Sequence, residues 1–82
     1  MVDKGTQKFR LENDKADEIK EILRHVFKAL NEKGYSSVDQ IVGYILSGDP
    51  SYITSYDNAR SMICKIERDE IIEELLKKYL NA

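Results

Sequence analysis

The sequence contains no tryptophan, one cysteine, one proline and one histidine among its 82 residues. The single cysteine, Cys64, excludes an internal disulfide. Cys64 and His25 are the only soft metal-ligand side chains, and a structural zinc site needs four ligands at set spacings, so we expect no metal site. No apolar run approaches the roughly 20 residues that span a bilayer, and the start of the chain has no signal-peptide core. We therefore expect a soluble, cytoplasmic protein without membrane insertion.

Positive charge is missing from the middle of the chain. Residues 34–56 contain neither lysine nor arginine, although charged residues make up 34% of the sequence and the formal net charge is −2. This balance gives no long-range attraction to phosphate backbones. Two helices joined by a turn resemble a DNA reader, but a recognition helix needs basic and polar side chains against the DNA. We expect no nucleic-acid partner, and a small helical nucleic-acid-binding regulator remains the alternative function.

No motif in the sequence predicts catalysis or a cofactor. The acidic residues between positions 67 and 74 lack the alternating loop spacing and the glycine of a calcium site. The Ser47-Gly48-Asp49-Pro50 turn lacks the Gly-Lys-Ser/Thr ending of a phosphate loop. A Cys–His nucleophile pair would also need an orienting group and a pocket. We therefore predict a protein that is not an enzyme, with no catalytic residue, no metal and no cofactor.

Hydrophobic periodicity predicts an all-α fold, and its first helix is expected from about Lys15 to Lys33. Asn13 or Asp14 can cap that helix, and residues 1–12 before it are expected to form a flexible tail. The helical domain is then 13–82. The first helix has apolar residues at the i, i+3, i+4, i+7 spacing of one stripe. These residues are Ile19, Ile22, Leu23, Val26, Phe27 and Leu30.

The second helix is expected from Val38 to about Ser47. Ser37, followed three residues later by Gln40, matches a capping box. Gly34 and Gly48 are placed to end the first and second helices in the left-handed conformation. Gly43 lies mid-helix, where it costs about 1 kcal/mol relative to alanine, and we expect the close approach of another helix to compensate.

The uncharged second helix also predicts self-association. A helix that is apolar around most of its girth is normally buried on more than one side. A domain of this size buries only about 60–65% of its unfolded surface, so a partner that binds the folded state would stabilise it. We expect a homodimer or partner surface formed by Tyr35, Val38, Ile41, Val42, Ile45 and Tyr52.

After the second helix, Asp49-Pro50 restarts the chain with a capping residue followed by a favoured first helical residue. Thr54 or Ser55 is then expected to cap a third helix. The apolar stripe of that helix rotates near Glu67-Arg68-Asp69, which predicts a break with Asp69 as the new cap. The stripe of the last helix is Ile72, Leu75, Leu76, Tyr79 and Leu80. The result is a small bundle of four or five helices.

The run EKGYSSVDQIVGYILSGDPSYI, followed by NAR and by ERDEIIEELLKKYL, closely resembles the IreB/ReoM family of small bacterial proteins. The resemblance implies a small helical homodimer without enzymatic activity. It also implies a cytoplasmic regulator that acts downstream of a membrane Ser/Thr kinase with PASTA domains and of its partner phosphatase. The implied pathway controls peptidoglycan precursor synthesis, and the implied partners include a protease adaptor or a cell-wall enzyme.

The resemblance also implies a phosphorylation site. The family's phosphorylated threonine precedes an aromatic residue by two or three positions, and Thr6-Gln7-Lys8-Phe9 matches that pattern. A second threonine three residues earlier in some members is replaced by Asp3, so double phosphorylation is not implied. The chain also departs from the family pattern at Thr54-Ser55-Tyr56, where many members have proline and a basic residue.

Overall fold

The computed structural model describes the backbone from Val2 to Ala82 and the side chains from Asp14 onward. Within residues 2–82, every regular element is helical, which confirms the predicted all-α fold class. The α-helices are α1 (Val2–Glu32), α2 (Ser37–Ser47), α3 (Ala59–Ile63) and α4 (Arg68–Leu80). Two 3₁₀ helices, η1 (Pro50–Tyr52) and η2 (Tyr56–Asn58), connect α2 to α3.

Helix α1 has an earlier start than the sequence predicts, Val2 instead of about Lys15. Residues 2–14 include no proline, and the expected caps, Asn13 and Asp14, cost only a fraction of a kcal/mol inside a helix. Local capping preference therefore does not fix this boundary. The predicted mobility of the tail concerns residues 1–12, whose side chains lie outside the described part, and it stays a prediction.

The core forms around α1, which contacts α2, α3 and α4. Fully burying the side chain of an Ile, Leu or Val is worth about 1.5–3 kcal/mol, so each such residue of the core adds substantially to stability. The predicted α1 stripe is confirmed for Ile19, Ile22, Val26 and Leu30, whereas Phe27 remains 44% exposed. The other buried apolar residues are Ala29, Tyr44, Ile53, Ala59, Ile63, Ile66 and Ile71.

Both predicted glycine stops are confirmed. Gly34 has φ +83°, its N–H donates to Asn31 O at 3.0 Å, and the Tyr35 N–H donates to Leu30 O at 2.9 Å. These two bonds form the Schellman motif, which needs a left-handed residue at this position. Gly48 has φ +74° and donates its N–H to Tyr44 O at 2.7 Å.

The predicted capping box of α2 is wrong, because tertiary contacts use both of its side chains. The N-cap is Ser36, and Ser37 is buried in the first turn. The Ser37 hydroxyl lies 2.9 Å from Phe27 O and 2.8 Å from Asn31 Oδ1, and it can donate to either. Gln40 Nε2 donates to Tyr52 O at 2.9 Å instead of serving the helix start.

The predicted break before the last helix is confirmed, but the predicted cap is wrong. Glu67 is the N-cap of α4, and its N–H donates to Glu70 Oε1 at 3.1 Å. Asp69 lies within the first turn of α4, where its carboxylate accepts a bond from the Glu70 N–H. Glu70 thus accepts the N–H of the N-cap residue, which is one half of a capping box.

Asp49 is a cap, as predicted. Its Oδ1 accepts a bond from the Ser51 N–H at 2.9 Å, and Pro50 occupies the first position of η1. The predicted cap of the third helix is wrong, because the N-cap of α3 is Asn58. Ser55 instead precedes η2, and Thr54 Oγ1 accepts a bond from the Tyr56 N–H at 3.1 Å. The connection between α2 and α3 is therefore fixed largely by side-chain hydrogen bonds to the backbone.

Candidate interaction surface

Helix α2 carries a row of exposed apolar side chains on its outer face. The row follows helical spacing, and its end members Val38 and Leu46 are 61% and 79% exposed. Together with Tyr35, in the turn before the helix, the row forms an uncovered patch of four large apolar side chains, which marks a candidate interaction site. We call these residues the α2 stripe: Tyr35, Val38, Val42 and Leu46.

The structure divides the residues that the sequence assigns to a self-association surface. Tyr35, Val38 and Val42 belong to the α2 stripe and face outward. Ile41 and Ile45 are only partly exposed, because they pack against the core. Leu46 was absent from the predicted set, although it follows Val42 by four residues and so lies on the same face.

Tyr52, the remaining member of the predicted set, packs against Gly43. A Cβ placed on Gly43 would lie 2.5 Å from the Tyr52 ring, well inside van der Waals contact. The close approach predicted at Gly43 is therefore present, but a tyrosine ring from η1 makes it and not another helix. The Gln40 bond to Tyr52 O holds the same segment, so the edge of α2 next to η1 is a fixed surface.

Helix α4 carries a second exposed apolar surface. The stripe that the sequence places on this helix lies outside the core, because all five residues are at least 41% exposed and Ile71 is the buried residue of α4. The element contacts explain this, since α4 packs mainly against α1 and no other described helix covers its outer side. We call these residues the α4 face: Ile72, Leu75, Leu76, Tyr79 and Leu80.

The turn that departs from the family pattern is held against α1. Asp57 and Asn58 both have positive φ, 55° and 62°, a conformation that non-glycine residues adopt at some cost. His25 Nε2 lies 2.6 Å from Asp57 O and 3.5 Å from its carboxylate. Lys33 Nζ lies 5.2 Å from the centre of the Tyr56 ring, within cation–π range. These contacts give the conformation of η2 its tertiary support.

The perturbed pKa values are explained by the structural roles of the groups. Bonds from the Ser51 backbone and side chain lower the pKa of Asp49, as expected for a capping carboxylate. Burial raises the pKa of Tyr44, and the Glu32 carboxylate raises that of Tyr56. Among the described residues, no three His, Cys, Asp or Glu side chains are grouped to hold a metal ion. Cys64 is exposed.

A family model described as "IreB regulatory phosphoprotein" matches residues 4–81. The chain belongs to the IreB family. It is 59% identical over 75 residues to a UPF0297 protein of Ruminiclostridium cellulolyticum. The matched region covers 92% of this chain and 85% of the relative. It is 55% identical over 80 residues to a UPF0297 protein of Acetivibrio thermocellus, and this match covers 98% of the chain and 89% of the relative.

Membership of the IreB family assigns this chain a regulatory role of the kind that the family description gives. The matched range includes the α2 stripe, the α4 face and the predicted phosphorylation site Thr6. Thr6 lies outside the residues whose side chains the structure describes, so its assignment stays a prediction. Among the residues that the structure describes, no helix is both long and apolar enough to cross a membrane.

Proposed function

We propose that this IreB-family protein is a non-enzymatic cytoplasmic regulator whose protein contacts are switched by phosphorylation of Thr6. The observation that carries the proposal is the match of a regulatory phosphoprotein family to residues 4–81, a range that includes Thr6. The kinase is a membrane Ser/Thr kinase with PASTA domains, and its partner phosphatase reverses the modification. The regulated process is peptidoglycan precursor synthesis.

The proposed switch is electrostatic. A phosphate adds about −1.5 to −2 charges at neutral pH and oxygens that accept strong bonds from arginine and lysine. On Thr6 it would change how the N-terminal segment docks, either on the protein's own dimer or on a protease adaptor or cell-wall enzyme. The control of proteolysis of a cell-wall enzyme is one route by which such a contact would alter precursor synthesis.

The α2 stripe is the proposed homodimer surface. Its side chains are apolar and exposed, and Asp39 is the only charged residue of the helix, so two copies can approach without like-charge repulsion. A two-fold contact uses the same patch on both chains, which one helical stripe can supply. Tyr52 at the edge of the stripe would contribute to the same contact, as Ile41 and Ile45 would from beneath it.

The phosphorylation proposal is tested with the cognate kinase and ATP, read by intact-mass and peptide mass spectrometry. We expect one phosphate on the wild type and none on Thr6→Ala. Thr54→Ala is a matched control, because Thr54 is the only other threonine, and it should be labelled like the wild type. Equal labelling of Thr6→Ala, or loss of labelling in Thr54→Ala alone, would contradict the site.

The consequence for function is tested by comparing wild type with Thr6→Ala and Thr6→Glu in pull-downs from the native cytoplasm. We expect at least one cell-wall enzyme or protease adaptor to be recovered differently by the two variants. Identical recovery by all three forms would contradict the switch. A salt-dependent gel shift would instead support the alternative, a nucleic-acid-binding regulator, for which α2 offers no lysine or arginine.

A further inference from the structure

A groove of about 380 Å³ lies between α1 and α4. Its floor is apolar and includes Ile19, Leu23 and Leu75. Leu75 belongs to the α4 face, so the groove opens beside an uncovered apolar surface. An apolar depression between two helices is the kind of site that receives the apolar side of an amphipathic helix.

The rim of the groove is predominantly basic. It carries the positive side chains of Lys20, Arg24 and Lys78 and one negative side chain, Glu74. The formal charges of these four residues sum to +2, whereas the formal net charge of the whole chain is −2. The local charge of the groove is therefore opposite in sign to that of the molecule.

The basic side chains of the rim have no ion-pair partner among the side chains from residue 14 onward. Glu74 and Lys78, four residues apart on α4, do not pair within 4.0 Å, while the parallel Glu73 and Lys77 do, at 3.8 Å. Lys15, next to the groove, is likewise paired, at 3.7 Å from Glu70. The three cations that line the groove are thus available for an external carboxylate.

We propose that the α1–α4 groove binds an acidic amphipathic helix of a partner protein. The apolar side chains of that helix, at i, i+3 or i+4 and i+7, would enter the groove over Leu23 and Leu75. Flanking Asp or Glu side chains would pair with Lys20, Arg24 and Lys78. The residues that line the groove include neither Thr6 nor any member of the α2 stripe, so this proposal can fail without the phosphorylation switch failing.

The charge of the rim favours a partner of different sequence over a second copy. In a two-fold contact centred on the groove, the rim of one chain would face the identical basic rim of the other. Like charges facing each other across an interface oppose association. An acidic ligand removes that repulsion and compensates the unpaired cations.

The test uses a fluorescein-labelled 16-residue peptide with leucines at helical spacing and glutamates at most other positions. Its control has the same leucines with lysines in place of the glutamates. Fluorescence polarisation should give binding of the acidic peptide that is about tenfold tighter or more, a difference of about 1.4 kcal/mol. The control is stringent, because the net charge of −2 by itself favours the basic peptide.

Two variants with matched controls locate the binding. Arg24→Glu should weaken binding of the acidic peptide about tenfold, while Lys65→Glu, an equal charge change at an exposed residue outside the groove, should have little effect. Leu75→Ala should also weaken binding, whereas Leu46→Ala on the α2 stripe should not. Circular-dichroism melts of all four variants verify that each remains folded.

Three results would overturn the proposal. The first is equal or tighter binding of the basic peptide, and the second is an equal loss of binding in Arg24→Glu and Lys65→Glu. The third is a Leu75→Ala variant whose mass in light scattering falls to half that of the wild type, because a second copy would then occupy the groove. Thr6→Ala should bind the peptide like the wild type.

Discussion

Ser37 illustrates how much one small polar residue does in this fold. Its buried hydroxyl is within bonding distance of Phe27 O and Asn31 Oδ1, both near the end of α1. Buried polar groups need such partners, because an unsatisfied one costs about 1–3 kcal/mol. Ser37 thereby ties the start of α2 to the last turns of α1, and it fixes the angle at which the two helices meet.

Asp49 gives a pH-dependent contribution to stability whose sign follows from its hydrogen bonds. Bonds from Ser51 hold the pKa of Asp49 below its ordinary value of 3.8. A carboxyl group with a lower pKa in the folded state stabilises the protein above its unfolded pKa. That contribution is lost as the pH falls through the folded pKa.

We therefore expect the wild type to be more stable than Asp49→Asn at pH 5–7, since asparagine keeps the cap without the charge. The difference should shrink steadily below about pH 4, where the carboxylate takes up a proton. Urea unfolding at a series of pH values measures it. A difference that is unchanged between pH 7 and pH 3 would show that the Asp49 charge makes no contribution.

At the scale of the elements, the packing of η1 on α2 depends on Gly43. The Tyr52 ring occupies the space that a side chain at this position would need. Alanine would favour the helix by about 1 kcal/mol, but it would displace the ring. The gain in helix propensity and the displacement of the ring oppose each other. Which of the two is larger depends on whether a tyrosine or a smaller residue stands at position 52.

A double-mutant cycle separates these effects. Gly43→Ala should destabilise the wild-type protein, and in a Tyr52→Ala background the same change should stabilise it by up to about 1 kcal/mol. The coupling energy from urea unfolding should then be about 1 kcal/mol or more, as is found for residues in contact. Equal effects of Gly43→Ala in both backgrounds would contradict the packing described for Tyr52.

At the scale of the whole molecule, two apolar surfaces remain uncovered, the α2 stripe and the α4 face. An 82-residue domain is marginal on its own, so association that covers apolar side chains adds directly to its stability. The α2 stripe is nearly free of charge, whereas the groove beside the α4 face has a basic rim. This difference is why we assign the first to self-association and the second to an acidic partner.

We expect the wild type to have twice the 9.5 kDa mass of one chain in light scattering at micromolar concentration. Val42→Glu should give the single-chain mass, because it would bury two unpaired carboxylates in the dimer contact. The control is Tyr79→Glu on the α4 face, where the Tyr79 side chain is 88% exposed, and this variant should remain dimeric. A monomeric wild type would remove the dimer proposal, and dissociation by Tyr79→Glu alone would move the interface to α4.

Much of the local structure followed from signals within a few residues. The stops at Gly34 and Gly48, the cap at Asp49 and the break near residues 67–69 each depend on the backbone preferences of neighbouring positions. The apolar period located α1 and α2 for the same reason. The resemblance carried by the run QIVGYILSGDPSYI identified the family, but it assigned Thr6 only by pattern.

Other features were decided by contacts between residues far apart in the sequence. Gln40 and Ser37 have the types of a capping box, yet each bonds to another segment because that segment lies within reach. Helical spacing places the α4 face on one side of its helix, but it does not say whether anything covers that side. The sequence by itself determined that the chain is helical and where the glycine stops fall, since these depend on local backbone energetics. The tertiary structure alone decided which apolar side chains stay exposed, because burial depends on distant elements.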